Sequence, residues 1–402
     1  MPSVRRHTWV LLGGIVAFML ATAFINSWVN PLRVIPSPWS DPSFEPYRDI
    51  SSQIRTGKAG LVRSHDQVDV AFLGSSRVEN GFDPEMQEWN NLEVLNLGCS
   101  GGYIYETRGI ADYLLERNSP SILFCGIDPG DLSRPMDSRD KSDFYASPFA
   151  RNGDTIDREL RYLLGVSSLE NSLETINRRA KDRRSPYTPR GLRGVDEGID
   201  QGSQLGFIRR QLIGNAFSQE GTTANTKIVP DKIEALRDLM IKARTSGARL
   251  IIFFHPQHAI MLASLEDQDD PPVFFANERA VLIDLVDQVN REESAGPPVE
   301  LWDFFDFHPI NCEALPLGDT SRMTFWDDLG HFSVPVGNAM QARMMGWPVE
   351  LEGAEDYGTP LSKETLPQRE AEVREGYRAY LEGPRRGDVL WKEELINRKS
   401  GP

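Results

Sequence analysis

Along residues 68–345, short apolar runs end in glycine-rich turns, and most of the turns lead into stretches with helical spacing. The runs are Val68–Leu73, Glu93–Leu97, Ser121–Cys125, Ala248–Phe254 and Val299–Phe305. Runs of this length bounded by turn signals read as buried strands. The helical stretches are Tyr103–Asn118, Asp231–Ser246 (stopped by Gly247), Asn277–Arg291 and Val334–Met345. In the first of these, Ile104, Ile110, Tyr113 and Leu114 share one face. Strand, turn and helix in alternation predict an α/β fold, a three-layer doubly wound sheet of about five parallel strands.

The pattern differs at both ends and in the middle. Thr8–Val29 carries no formal charge and is flanked by Arg5, Arg6 and His7. About 20 such residues cross a bilayer core as a helix. Trp9 and Trp28 bracket the run, and cations on the short N-terminal side place that side in the cytoplasm. A cleaved signal peptide competes with this reading. Ala21-Thr22-Ala23 has a cleavable form but lies inside the apolar run. We therefore expect residues 1–30 to be a cytoplasmic stub and retained transmembrane helix, with the bulk of the chain outside. Residues 31–66 begin with prolines 31, 36, 38, 42 and 46, which predict a semi-rigid connector that lifts the globular part off the membrane. The α/β domain is expected over 67–348. Within it, about 132–230 loses the rhythm and reads either as a surface insertion or as a cap over the strand ends. Residues 349–402 are polar, with one exposed helix over Lys363–Leu381.

The 402 residues hold 59 Asp and Glu against 44 Lys and Arg, a net charge of −15, which does not recommend nucleic acid as a partner. Three cysteines, Cys99, Cys125 and Cys312, are not a disulfide framework. Cys99 and Cys125 read as packed thiols at strand ends.

The first strand delivers Gly74-Ser75-Ser76-Arg77 from its carboxyl end. Ligands of open α/β sheets bind there. A serine hydroxyl needs a base to become a nucleophile, histidine is the usual base, and a carboxylate orients the imidazole. Ser76, His331 and Asp328 supply the three groups, with Asp328-Leu329-Gly330-His331 beyond the fifth strand. The plainer readings are a helix cap for Ser76 and a backbone-bonded loop residue for His331. Gly98-Cys99-Ser100-Gly101-Gly102 also has the form of a nucleophile elbow, which makes Ser100 a rival. His255 and His258 flank Pro256 without a third ligand nearby. They read as a strand-end turn rather than a metal site, and nothing in the chain calls for a cofactor.

Four segments together resemble the SGNH (GDSL-like) hydrolase superfamily, whose sheet is flavodoxin-like. Gly74-Ser75-Ser76 stands where the family has Gly-Asp-Ser. Asn96-Leu97-Gly98-Cys99-Ser100-Gly101 resembles the second block, and Gly126-Ile127-Asp128 falls at Gly-x-Asn. Asp328-Leu329-Gly330-His331 matches the closing DxxH. The fuller strings GSSRVENGFDP, NLGCSGGYIYE and FWDDLGHFS are similar to the membrane-anchored branch of bacterial envelopes, often associated with acylation or deacylation of exported polysaccharide.

The resemblance implies Ser76 as nucleophile, His331 as base and Asp328 as its orienting acid. It puts the backbone amides of Ser76 and Gly101 in the oxyanion hole, with Asp128 at the third donor's place and Arg77 and His255 near substrate. It also implies a polysaccharide substrate, envelope assembly partners and an inner-membrane location. Two positions depart from the family, Ser75 for aspartate and Asp128 for asparagine. An ionised carboxylate cannot donate. Asp128 is therefore either protonated, or turned away to orient Arg77, or the mark of a catalytically inactive glycan-binding or assembly protein.

Overall fold

The computed structural model describes residues 2–134, 142–150, 155–194, 201–216, 227–318 and 322–400. The chain forms two compact units. One comprises residues 1–66 and 138–193, the other 67–137 and 194–402.

The larger unit is mixed α/β. Its strands are β1 (Val70–Leu73), β2 (Val94–Asn96), β3 (Ile122–Ile127), β4 (Arg249–Phe254), β5 (Glu300–Asp303), β6 (Trp326–Asp328), β7 (His331–Phe332) and β8 (Thr359–Pro360). Six form one sheet in the order β2-β1-β3-β4-β5-β8, and β6 and β7 form a separate small hairpin. The first five strands of the sheet are parallel, and β8 joins β5 antiparallel. All four residues of β1 are buried, as expected for parallel strands covered on both faces. The order reverses between β1 and β3, the kind of crevice where ligands of open α/β sheets bind. Ser76 follows β1 and Asp128 follows β3, so both stand at that crevice.

Residues 349–402 are not a polar tail. They supply β8 and the helices Leu366–Glu382 and Arg386–Ser400. Val373, Tyr377, Leu381 and Val389 are buried in the main core. Arg369 joins Arg279 on the buried carboxylate of Asp303, at 2.9 and 2.8 Å. Burial opposes ionisation of Asp303, but the two guanidiniums hold its carboxyl below the usual range. The buried stripe recurs every three to four residues, and charged positions between its members dilute it in the sequence.

The smaller unit contains the helices Pro2–Val29, Ile54–Ser64, Ser142–Ala146, Thr155–Leu164 and Val166–Ala180, with a 3-10 turn over Pro42–Tyr47. Its N-terminal helix is long and apolar enough to cross a membrane. The last turn of that helix is embedded in protein. Asn26 donates to the Leu163 carbonyl at 3.0 Å and accepts from Ser172 at 2.9 Å.

The expected connector is not extended. Leu32, Val34 and Ile50 pack with Tyr162 and Tyr187 into a small core. Glu45 is bracketed by Arg33 and Arg48. A Cβ on Gly60 would lie 1.7 Å from the Leu32 carbonyl oxygen, so only glycine fits. The prolines serve turns here, with Pro42 opening the 3-10 helix behind its Asp41 cap. The expected 132–230 insertion is thus divided. Residues 138–193 build the smaller unit, and the helix Gln201–Ala216 belongs to the larger one.

Candidate active site

The turn after β1 sets Ser76. Gly74 adopts φ +148°, and a Cβ there would meet Val78 at 2.7 Å and the Gly126 carbonyl at 3.1 Å. Glycine lets the chain turn sharply into the short helix Ser76–Gly81. Ser75 caps that helix, its hydroxyl accepting from the Arg77 amide at 3.3 Å. The cap role that competed for Ser76 is therefore filled by its neighbour, and the Ser76 hydroxyl is left for other work.

That hydroxyl lies 2.8 Å from His331 Nε2. His331 Nδ1 lies 2.8 Å from Asp328 Oδ2. Asp328 Oδ1 accepts from the amides of Gly330 (2.7 Å) and His331 (3.0 Å) and from the side chain of Gln211 (3.0 Å). Burial would raise the Asp328 carboxyl, but the His331 bond and these donors bring it below its ordinary value. An ionised Asp328 therefore accepts from Nδ1–H. That fixes the tautomer with Nε2 free to take the Ser76 proton. The β6–β7 hairpin brings the two residues together, because three residues of separation across its turn put both side chains at one end.

The second loop of the site follows β2. Asn96 is fully buried and donates to the carbonyls of Val78 (2.7 Å) and Phe82 (2.8 Å), while its Oδ1 accepts from the Gly98 amide at 3.0 Å. This ties the loop to the helix that carries Ser76. Ser100 donates to the buried carboxylate of Glu79 on the same helix. The rival nucleophile is thus engaged by a carboxylate, whereas Ser76 meets an imidazole. Gly101 takes the left-handed conformation at φ +64°. The amides of Ser76 and Gly101 make no hydrogen bond among the described residues.

Asp128 is an acceptor. Its Oδ1 receives the Ser75 hydroxyl at 2.8 Å and Arg77 Nη1 at 2.8 Å. Burial opposes its charge, but Arg77, with smaller help from His255 and Ser75, holds the carboxyl down at about 2. The protonated alternative does not hold at neutral pH, and Asp128 offers no donor to an oxyanion. Arg77 Nε also donates to the Gly330 carbonyl at 2.7 Å. Through Arg77 and Ser75, Asp128 joins the β1 turn, the end of β3 and the loop that carries Asp328 and His331.

His255 departs from its expected place beside substrate. It is fully buried among Phe82, Phe253 and Phe332, with Nε2 3.9 Å from Asp128. Burial pushes its imidazole down to about 3, so the ring is neutral. The His255 amide still donates to the Ile127 carbonyl of β3 at 3.0 Å, so a strand-end histidine that reads as a rim residue lies inside. His258 is occupied by backbone, accepting from the Ile260 amide at 3.3 Å and meeting the Glu313 carbonyl at 3.0 Å. No group of residues able to hold a metal is found among the described residues.

Two glutamines escaped the sequence reading. Gln211 grips Asp328 and accepts from the Leu329 amide at 3.0 Å. Gln204 donates to the Trp326 and Asp327 carbonyls at 3.0 and 3.1 Å and accepts from the Met323 amide at 3.0 Å. Both project from the helix Gln201–Ala216, along with the buried Ile208 and Leu212. The spacing 204, 208, 211, 212 is that of one helix face, and it could have been seen. No family model matches the chain, and the search of curated proteins finds no match.

Proposed function

We propose that this chain is a membrane-anchored, extracytoplasmic serine esterase or O-acyltransferase acting on cell-envelope or exported polysaccharide, with O-acetyl chemistry foremost. The observation that carries the reaction class is the run of two 2.8 Å contacts from Ser76 through His331 to Asp328. The substrate class rests on the resemblance of GSSRVENGFDP, NLGCSGGYIYE and FWDDLGHFS to the anchored SGNH-like branch. The finer fold goes with it, a doubly wound flavodoxin-like sheet. The compartment rests on the N-terminal helix and on Arg5 and Arg6 at its short end. Envelope assembly proteins are the partners such a protein would meet.

In this reading Ser76 Oγ attacks the acyl carbonyl carbon as its proton passes to His331 Nε2. The carbonyl oxygen becomes an oxyanion, held by the amides of Ser76 and Gly101. His331 then returns the proton to the departing sugar oxygen, leaving an acyl-serine. Water or a glycan hydroxyl, deprotonated by His331, attacks the acyl carbon and releases Ser76. Hydrolysis and transfer differ only in that second acceptor. Asp128 serves as a positioning residue through Arg77 rather than as an oxyanion donor.

A second reading keeps the fold but not the chemistry, as a catalytically inactive glycan-binding or assembly protein. The ionised Asp128 at the family's asparagine position favours it, since a missing donor typically costs about 10²–10³ in rate. The test is a serine-reactive phosphonate on the full-length protein, read by intact mass and peptide mapping. A single adduct on Ser76, absent in His331→Ala, supports the enzyme. An adduct on Ser100 moves the nucleophile, and a folded protein with no adduct leaves the binding role.

A further inference from the structure

The two units differ in charge. The smaller carries 19 Lys and Arg against 12 Asp and Glu, a net of +7, or +5 without Arg5 and Arg6 at the far end of the span. The larger carries 25 against 47, a net of −22. The basic unit is the one that holds the membrane-crossing helix, and its excess has a focus. Residues 178–184 read Arg-Arg-Ala-Lys-Asp-Arg-Arg, at the end of the helix Val166–Ala180. Lys181 and Arg184 make no ion pair among the described residues, whereas Arg178 pairs with Asp49 and Glu174, Arg179 with Asp41, and Arg183 with Glu174.

This basic turn adjoins the end of the apolar helix. Trp28 packs edge-on against Phe44 with ring centroids 5.1 Å apart. The Arg179 guanidinium lies 4.7 Å over the same Phe44 ring. The neighbouring helix Thr155–Leu164, held to Asn26 through Leu163, leaves Ile156 70 % and Leu160 48 % exposed, one turn apart. Val166 follows, 64 % exposed. Exposed apolar side chains and unpaired cations beside a membrane-crossing helix make an interfacial surface. Such a surface buries its apolar residues at the headgroup boundary and draws anionic headgroups to its cations.

We infer that the smaller unit lies on the bilayer it emerges from, with Ile156, Leu160 and Val166 inserted at the interface and the 178–184 turn bound to anionic phospholipid headgroups. This rests on the anchor reading given above. An acidic polysaccharide would satisfy the cations but would leave the aliphatic side chains in water, so the bilayer is the better occupant. The smaller unit would then meet the membrane through a span and a surface, which restrains its own rotation about the span.

The experiment uses the full chain carrying Cys312→Ser, since Cys99 and Cys125 are buried. Leu160→Cys is spin-labelled and reconstituted in vesicles of phosphatidylcholine with or without phosphatidylglycerol. In anionic vesicles the label should collide with lipid-dissolved oxygen in preference to a water-soluble nickel chelate. That preference should fall several-fold in pure phosphatidylcholine, and again in a Lys181→Glu, Arg184→Glu variant. A nickel-accessible label in anionic vesicles overturns the inference. So does a label shielded from both reagents, which means protein covers the face, or a soluble polyuronate that binds the turn while the label stays aqueous. Phe18→Cys, within the span, separates the two readings. If it is oxygen-accessible while residue 160 is not, the anchor stands and the surface contact fails. If it is nickel-accessible, the anchor fails and takes the inference with it.

Discussion

The two units solve the problem of folding in different ways. The larger buries a sheet among aromatic side chains, with Phe82 in ring contact with Phe72, Phe124 and Phe253, and spends its polar contacts on the site. The smaller has an apolar cluster of a few residues and ties its loops with cations. Arg33 and Arg48 hold Glu45, and the fully buried Lys58 caps the Gly191 carbonyl at 2.5 Å. Their opposite net charges, +7 and −22, vanish into a chain total of −15. That total does not recommend nucleic acid as a partner for the chain as a whole. The total describes neither unit, because electrostatic attraction acts over about a Debye length, ~10 Å, and not over a whole chain.

The largest effect that would sharpen this comparison lies in the larger unit. Asp328→Asn should lower the rate of phosphonate labelling at Ser76 by about 10⁴, because the amide favours the wrong imidazole tautomer. A loss of less than tenfold would mean that Asp328 does not orient His331. Next comes a disruption of the smaller unit. Gly60→Ala forces a methyl against the Leu32 carbonyl and should cost about 3 kcal/mol, measurable as a lower Tm.

Acid should act on the larger unit first. His255 and His258 are both held neutral by burial, to about 3, against an ordinary value near 6.5. The unfolded chain takes up these protons and the folded chain does not. Their stability is therefore complete above pH 6.5 and is lost as pH falls toward 3, by about 1.4 kcal/mol per pH unit for each ring. Asp128, held down at about 2 by Arg77 against its ordinary 3.8, loses its contribution only below about pH 4. Denaturant titrations at pH 7, 6 and 5 should show the histidine slope, and His255→Leu should halve it. An unchanged slope in that variant would place the proton uptake elsewhere.

The smallest effect concerns the unforeseen support. Gln211→Ala removes one donor from Asp328 and should slow phosphonate labelling about tenfold, the worth of a hydrogen bond to a charged group. Stability should change little if the buried Ile208 and Leu212 keep the helix in place.

Local chemistry was legible wherever it was contiguous. The β1 run ending in Gly74-Ser75-Ser76, the Asp328–His331 spacing and the uncharged N-terminal helix are each a property of neighbouring residues. A strand, a turn or an apolar span declares itself over a few positions. The mostly parallel sheet followed from the same logic, with strand ends shifted by a residue or two. The sixth, β8, is two residues long and exists only because β5 offers an edge.

Local pattern thus set the strands and helices of the sheet region, residues 68–345, and the residues standing near their ends, but not the connector, the 132–230 stretch or the C-terminal segment. Tertiary structure decided the rest, because partners far apart in the chain set it. Only the fold shows that Ser100 is engaged by Glu79 while Ser76 meets His331, since those choices depend on partners 21 and 255 residues away. Only the fold turns Asp128 from a candidate oxyanion donor into the acceptor for Arg77, because a carboxylate's protonation depends on which charge lies beside it. It also places His255 inside rather than at the rim. Burial is a sum over everything that packs against a residue, and no stretch of sequence contains that sum.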